Sequence, residues 1–126
     1  MIKSNGTSLN GGVVDFTVHK VTNNWVINEA GWNNRSSNTY WTNGGGDFDL
    51  NTMTSSASYD LPADSTLTIT LDPSVVQDWM LNPTNNNGLI LRTFVTGSAN
   101  YSEIYSSGAV VAANRPMLKI WYYTIE

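Results

Sequence analysis

Apolar and polar residues alternate along most of the chain, which is the pattern of β-strands with one face buried. In Val13–Val21 the apolar positions are Val14, Phe16 and Val18, and His19 falls on the polar side, where we expect it to face solvent. Gly88–Phe94 is apolar almost throughout, which predicts a strand covered on both faces. The other alternating segments are Leu67–Leu71, Tyr101–Tyr105 and Pro116–Ile125.

One segment, LDPSVVQDWMLNP, departs from this period and predicts a short helix near residues 73–81. Asp72 can cap the helix and Pro73 can occupy its first position. The apolar residues that share one helical face are Val75, Val76, Trp79 and Met80. The pattern therefore predicts an all-β protein, an antiparallel β-sandwich of jelly-roll type with one short helix. With 126 residues we expect a single domain, residues 1–126, in which residues 1–12 form a polar N-terminal arm.

Charge and composition narrow the classes of partner. The net charge is −4, and the six Lys and Arg residues are scattered singly, so we expect no nucleic-acid partner and no binding to anionic membranes. No run of 18 apolar residues is present, and the first residues lack the apolar segment of a secretory signal. The chain has no cysteine, which excludes disulfides and thiolate metal sites. Its many Asn, Ser and Thr residues are typical of outward-facing β-proteins and of viral shells and fibres.

Signals of catalysis are missing from the sequence, and we expect that the protein is not an enzyme. His19 is the only histidine, and there is no nucleophile elbow, phosphate loop or zinc-protease motif. Paired carboxylates could hydrolyse glycosides. However, the two close pairs, Asp47/Asp49 and Asp60/Asp64, both lie in segments predicted to be loops.

The segment GWNNRSSNTYWTNGGGDFDL, residues 31–50, leaves three interpretations open. Asp47 and Asp49 could be calcium ligands, although they lack the spacing of a calcium-binding loop, and no other cofactor is expected. Alternatively, aromatic rings beside amides and a guanidinium could bind a sugar; the predicted site residues are Arg35, Asn38, Tyr40 and Trp41. In the third interpretation Trp25 and Trp32 are core residues, and the consecutive glycines only permit turns. Replacement of either tryptophan by alanine would then cost ~3–5 kcal/mol.

Three ordered motifs resemble the DNRLRE (disaggregatase-related) domain family. They are VHKVTNNWVINEAGWNNRSSNTYWTNGGGDFD, VVQDWMLNPTNNNGLILR and SEIYSSGAVVAANRPMLKIWY, which together cover most of residues 18–123. The resemblance implies a jelly-roll-like sandwich of the kind found in secreted, polysaccharide-active proteins, without catalysis. Some members are carbohydrate-binding modules, including modules for acidic algal polysaccharide. Arg35 and Arg92 match signature positions, whereas the several strands that open the family domain have no counterpart here.

Two functional hypotheses follow. The first is a non-catalytic structural protein of a virion surface (a phage decoration, head-fibre or tail component) that also has the capacity to bind glycans. The alternative is a polysaccharide-binding module of a secreted or cell-surface protein, which would be extracellular. Because the opening strands of the family are missing, the strand Val13–Val21 would have an open edge. We therefore expect a homo-oligomer, or a partner protein that completes the sheet, with polysaccharide as a further partner.

Overall fold

The fold is taken from a computed structural model, which describes residues 1–8, 14–51, 57–59, 66–95 and 101–124. Within these residues the chain forms eight β-strands and one α-helix, together with 3-10 turns at Pro83–Asn85 and Ala112–Asn114. In chain order the elements are β1 (Ile2–Ser8), β2 (Val14–Lys20), β3 (Asn34–Ser36), β4 (Thr39–Tyr40), β5 (Ala57–Tyr59), β6 (Thr66–Leu67), α1 (Pro73–Leu81), β7 (Leu89–Val95) and β8 (Tyr101–Ile104).

The strands form small sheets, with strand orders β6-β1-β8, β5-β2-β7 and β3-β4. The pairs β1–β6, β1–β8 and β3–β4 are antiparallel. The prediction of a mainly-β protein with antiparallel sheets and one helix is confirmed. A closed jelly-roll-like sandwich stays a prediction.

The chain divides into two compact units, and the prediction of one domain is left as a prediction. The first unit contains Met1–Asp15, Ser58–Ile69 and Phe94–Glu126. In this unit β1 is the middle strand of its sheet, with Ile2 opposite Leu67 and Ser4 opposite Ile104. Ile2–Ser8 is therefore a paired strand instead of the expected arm, and residues 9–12 lie outside the described residues. A polar segment can take this place because its backbone pairs with β6 at its first residues and with β8 from Ser4 onward.

The second unit contains Phe16–Ala57 and Thr70–Thr93. In β2 four consecutive side chains are buried, from Phe16 to His19, so both faces of this strand are covered. The expectation that His19 faces solvent is wrong. Its Nδ1–H donates to the carbonyl oxygen of Asp49 over 2.8 Å, and Nε2 lies 3.0 Å from the hydroxyl of Thr17. These two bonds satisfy both ring nitrogens, so burial leaves no polar atom of the ring without a partner.

Helix α1 follows its sequence signals at both ends. Asp72 accepts a hydrogen bond from the Ser74 backbone N–H over 2.9 Å, and the proline takes the first turn. Val75 is buried as predicted, and Val76 and Trp79 are half-buried. Met80 is exposed, so the predicted apolar face is correct except at its last position. Asp78 forms an ion pair with Lys20 of β2. Within the described residues no helix has the length and apolar character needed to cross a membrane.

The predicted closing strand is wrong for the part of it that the structure describes. Residues 116–124 have no regular secondary structure, and their large apolar side chains are exposed, with Trp121 at 83%. The Met1 and Met117 backbones exchange two hydrogen bonds, over 2.7 and 3.0 Å, but no ladder continues from them. The segment Leu67–Leu71 is likewise a strand only at its first residue, since β6 ends at Leu67. Alternation provides a suitable face, but a strand also needs a partner strand.

Candidate functional site

A cavity of about 760 Å³ lies in the second unit, a volume within the range of ordinary ligand sites. Its wall combines aromatic and aliphatic side chains with amides, hydroxyls and three consecutive glycines. The lining residues are Thr22, Asn23, Trp32, Thr42, Asn43, Gly44, Gly45, Gly46, Asp47, Phe48, Leu50, Ile90, Leu91 and Arg92. Most of them come from the loop 42–48 and from the start of β7.

The indole of Trp32 lies against the backbone of two glycines in this wall. A Cβ atom at Gly44 would be 2.8 Å from Nε1 of Trp32, and one at Gly45 would be 3.1 Å from Cη2. Both rings of the indole therefore rest on backbone that only glycine leaves open. The residue is nevertheless 74% exposed, so the opposite face of the indole is open to solvent. The prediction that Trp32 is a core residue is wrong.

Trp25 is not a core residue either. It is 42% exposed, and its Nε1–H donates to the carbonyl oxygen of Asn87 over 2.8 Å. The ring is thus tied to the turn before β7 at its polar edge instead of closing the end of a sandwich. The expected loss of ~3–5 kcal/mol on replacement by alanine applies to a fully buried ring and does not apply to either tryptophan.

The loop beneath Trp32 is held by the carboxylate of Asp47. This buried side chain accepts hydrogen bonds from the Thr42 N–H over 3.0 Å, the Asn43 N–H over 3.1 Å and the Asn23 amide over 2.8 Å. These donors favour the charged form, and the Thr42 N–H has the largest effect in lowering the pKa of Asp47 below its usual value. The loop geometry is therefore fixed by a charged group inside the loop.

The glycines add a second constraint on the loop. Gly45 and Gly46 have φ angles of 91° and 113°, in the left-handed region that side chains disfavour. The Gly45 N–H donates to the carbonyl oxygen of Trp32 over 2.7 Å. The backbone that supports the indole is thus bonded directly to the residue that it supports.

The two calcium candidates are engaged in other contacts. Both carboxylate oxygens of Asp47 already accept N–H donors, which a cation would have to displace. The Asp49 carboxylate accepts the Asn51 N–H over 2.9 Å. In the part of the chain that the structure describes, no group of three or more His, Asp or Glu side chains is placed to hold a metal ion. Asp47 has a structural role in this geometry, and calcium binding stays a prediction.

The four predicted sugar-binding residues lie on or beside the β3–β4 hairpin, and none of them lines the cavity. Tyr40 is exposed, and Asn38 is exposed in the turn. Trp41 donates its Nε1–H to the carbonyl oxygen of Gly31 over 3.0 Å. Arg35 donates to the backbone carbonyl of Asn24 over 2.9 Å and also to its side chain. These four residues therefore lie together at the hairpin and away from the cavity, and their role in sugar binding stays a prediction.

Two charged residues line the cavity, and each has contacts within the protein. The guanidinium carbon of Arg92 lies 4.5 Å from the ring centroid of Phe48, a cation–π distance. Phe48 also packs against His19, with 5.0 Å between ring centroids. Asp47 is the second charged residue, with the three N–H donors described above. The cavity thus contains one positive and one negative group, and neither extends into it without a partner.

Comparison of the chain with protein-family models, with curated proteins and with solved structures gives no match. The resemblance to the DNRLRE family therefore rests on the three quoted motifs and stays a prediction.

Sequence reasoning assigned the residues of the cavity to other roles. The sequence pattern predicts a core position for Trp32 and gives the glycines Gly44–Gly46 only a role in turns. A signal that could have found the site is the pairing of a tryptophan with consecutive glycines about a dozen residues later. Glycine removes the Cβ atom that would hold a flat ring away from the backbone. Asn43, which precedes the glycines, presents an exposed amide at the same wall.

Proposed function

We propose that the protein is a non-catalytic carbohydrate-binding protein and that its binding site is the cavity beside Trp32. The observation that carries the proposal is the exposed indole, supported on one face by Gly44 and Gly45 and open on the other. The C–H face of a pyranose ring packs well on such a flat apolar surface. A fixed aromatic platform beside polar groups is the arrangement that a sugar requires.

The polar groups needed for sugar hydroxyls stand beside the platform. The Asn43 amide is exposed and makes no hydrogen bond to the described residues. Thr22 offers an exposed hydroxyl on the same wall. An amide both donates and accepts, which matches a hydroxyl group that does the same. Stacking would supply affinity and these groups would supply orientation.

The titratable residues near the cavity support binding without catalysis. A carboxyl that acts as a general acid near neutral pH needs a raised pKa, whereas hydrogen bonds lower the pKa of Asp47. His19 is buried with both ring nitrogens bonded, so it cannot reach a ligand without breaking those bonds. These two are the groups near the cavity on which acid–base chemistry would first be expected.

The test is a glycan array followed by calorimetric titration of the best ligand, with wild type and Trp32→Ala compared. We expect the variant to bind at least about tenfold more weakly, a loss of about 1.4 kcal/mol. Trp121→Ala is the matched control, because it also removes an exposed indole but one that does not line the cavity. Equal affinity for wild type and Trp32→Ala would remove the site, and the absence of any glycan ligand would remove the function.

A second candidate function is favoured by the exposed segment 117–123. Its side chains include Met117, Leu118, Ile120 and three aromatic residues, and all of them are exposed. Apolar surface of this extent commonly marks a surface for association with other proteins. We propose on this ground a structural role at a virion surface, as a decoration, head-fibre or tail component that assembles with further copies of itself.

Sedimentation velocity at low micromolar concentration tests the assembly role. We expect an oligomer that dissociates when Trp121 and Tyr123 are replaced by serine, because both are among the most exposed side chains. A wild-type monomer would contradict the structural role. A monomer would instead favour the alternative hypothesis, in which the carbohydrate site belongs to a polysaccharide-binding module of a secreted or cell-surface protein.

A further inference from the structure

We propose that the cavity beside Trp32 selects uncharged sugars over uronic acids and other anionic sugars. This inference rests on the proposed carbohydrate-binding function and names the class of ligand for the same site. It follows from the state of each polar and charged group in the wall, taken in turn.

The negative group of the wall is fully engaged. Asp47 accepts three N–H donors with its two oxygens, so it retains its charge without offering it to a ligand. Because Asp47 lines the cavity, an anionic group bound there would lie near this carboxylate. Like charges that lie close together repel, which raises the free energy of a bound anion. The wall thus contains an element that disfavours a uronate.

The positive group of the wall does not compensate for this repulsion. The guanidinium of Arg92 lies over the ring of Phe48 and has further partners within the protein. To pair with a uronate carboxylate in the two-pronged geometry that arginine prefers, it would have to give up part of these contacts. A carboxylate that enters without a full partner carries its desolvation cost uncompensated.

The other polar groups of the wall are neutral. The Asn43 amide and the Thr22 hydroxyl are exposed at the wall, and the indole of Trp32 provides an uncharged surface. Hydroxyl groups of a neutral sugar can bond to the first two while the ring stacks on the third. A neutral sugar can make these contacts while Asp47 and Arg92 keep their partners within the protein.

The experiment titrates the wild-type protein with neutral oligosaccharides of gluco-, manno- and galacto-series and with uronate oligosaccharides of the same lengths. We expect the best neutral ligand to bind at least about tenfold more tightly than any uronate. We also expect its affinity to change less than about twofold when ionic strength rises from about 0.1 to 1 M, which shortens the Debye length from about 10 to 3 Å. Uronates that bind as tightly as neutral sugars, or that lose affinity steeply in salt, would overturn the inference while leaving carbohydrate binding intact.

Two variants test whether the neutral amide of Asn43 contacts the ligand, which is a separate question from whether any sugar binds. Asn43→Asp replaces the amide by a charged acceptor of the same size, and we expect at least about fivefold weaker binding of the neutral ligand because a donor is lost. Asn28→Asp is the control, since Asn28 is exposed and does not line the cavity. Equal effects of the two variants would overturn the role of Asn43. If neither neutral nor anionic sugars bind at all, the proposed function itself fails.

Discussion

The contact between Trp32 and the glycines can be measured by adding a single methyl group at Gly45. The φ angle of 91° lies in the left-handed region, where alanine lowers the free energy of unfolding by ~1–2 kcal/mol. Alanine also restricts the unfolded chain, which raises the free energy of unfolding by ~0.4–1 kcal/mol. The new Cβ would also lie 3.1 and 3.2 Å from two carbons of the indole. Overpacking costs ~1–3 kcal/mol in a core, and we take ~1 kcal/mol because this ring can turn toward solvent. The expected total is about 2 kcal/mol.

Gly88→Ala is the matched control for this variant. Gly88 lies in the same unit and has a φ angle of 83°, but an added Cβ would meet nothing within 4 Å. It therefore carries the backbone strain without the ring contact, and we expect a loss of about 1 kcal/mol. The difference between the two variants, also about 1 kcal/mol, is the contribution of the ring contact.

Equilibrium urea unfolding resolves a difference of this size. With a slope of ~2 kcal/mol per molar, about 1 kcal/mol moves the midpoint by about 0.5 M. Sugar titration adds an independent measurement, because a displaced indole should weaken binding in Gly45→Ala and not in Gly88→Ala. Equal midpoints for the two variants would refute the close contact. Wild-type sugar affinity in Gly45→Ala would refute its role as a platform.

Three further changes test other parts of the structure. Val75→Ala should lower the free energy of unfolding by about 2 kcal/mol, because it removes two buried methyl groups. Met80→Ala should change it by no more than about 0.5 kcal/mol, because the Met80 side chain is exposed. Equal losses for the two variants would contradict the observed helix face. Asp47→Asn should cost ~1–2 kcal/mol at neutral pH. Because the pKa of Asp47 is lowered in the folded protein, its carboxylate stabilises the fold above the ordinary pKa of 3.8, and this stabilisation is lost as pH falls through the pKa of the folded state. Wild type and variant that lose stability equally as pH falls would contradict this. The Tyr40→Ala/Trp41→Ala double variant should bind sugar more tightly than Trp32→Ala does, because Tyr40 and Trp41 do not line the cavity. The opposite order of affinities in calorimetry would place the sugar site on the β3–β4 hairpin.

The parts of the fold that the sequence predicted are those set by neighbouring residues. The start of α1 could be predicted because Asp72 and the proline that follows act within one turn. The burial of His19 could not, because its partner Asp49 is 30 residues away and the hydrogen bond requires the folded chain. Alternation in the last segment predicted a strand, but pairing depends on a partner strand that sequence periodicity does not reveal.

The candidate site shows the same division between local and long-range information. The consecutive glycines of the loop 42–48 predict turns from the sequence alone, because their conformational freedom is a local property. The positive φ angles of Gly45 and Gly46 are consistent with this prediction. Their contact with the ring of Trp32 joins residues about a dozen positions apart and has no local signature. From the sequence alone an aromatic residue near glycines is therefore predicted to lie in the core, because large rings are highly buried on average.

Exposure alone does not make a tryptophan a binding residue, and a comparison within the chain shows what does. Trp121 is more exposed than Trp32, but no described glycine packs against its ring, so a ligand that stacks on it must also fix the side chain. Ordering a mobile side chain on binding costs ~0.5–1.5 kcal/mol, which reduces the affinity that stacking provides. The Trp32 ring is already ordered in the folded protein, because two glycines support it and the Asp47 carboxylate holds their loop. Much of the ordering cost is therefore absent when a ligand binds. A ring fixed in advance, with one face open beside neutral polar groups, retains most of its stacking energy for the ligand.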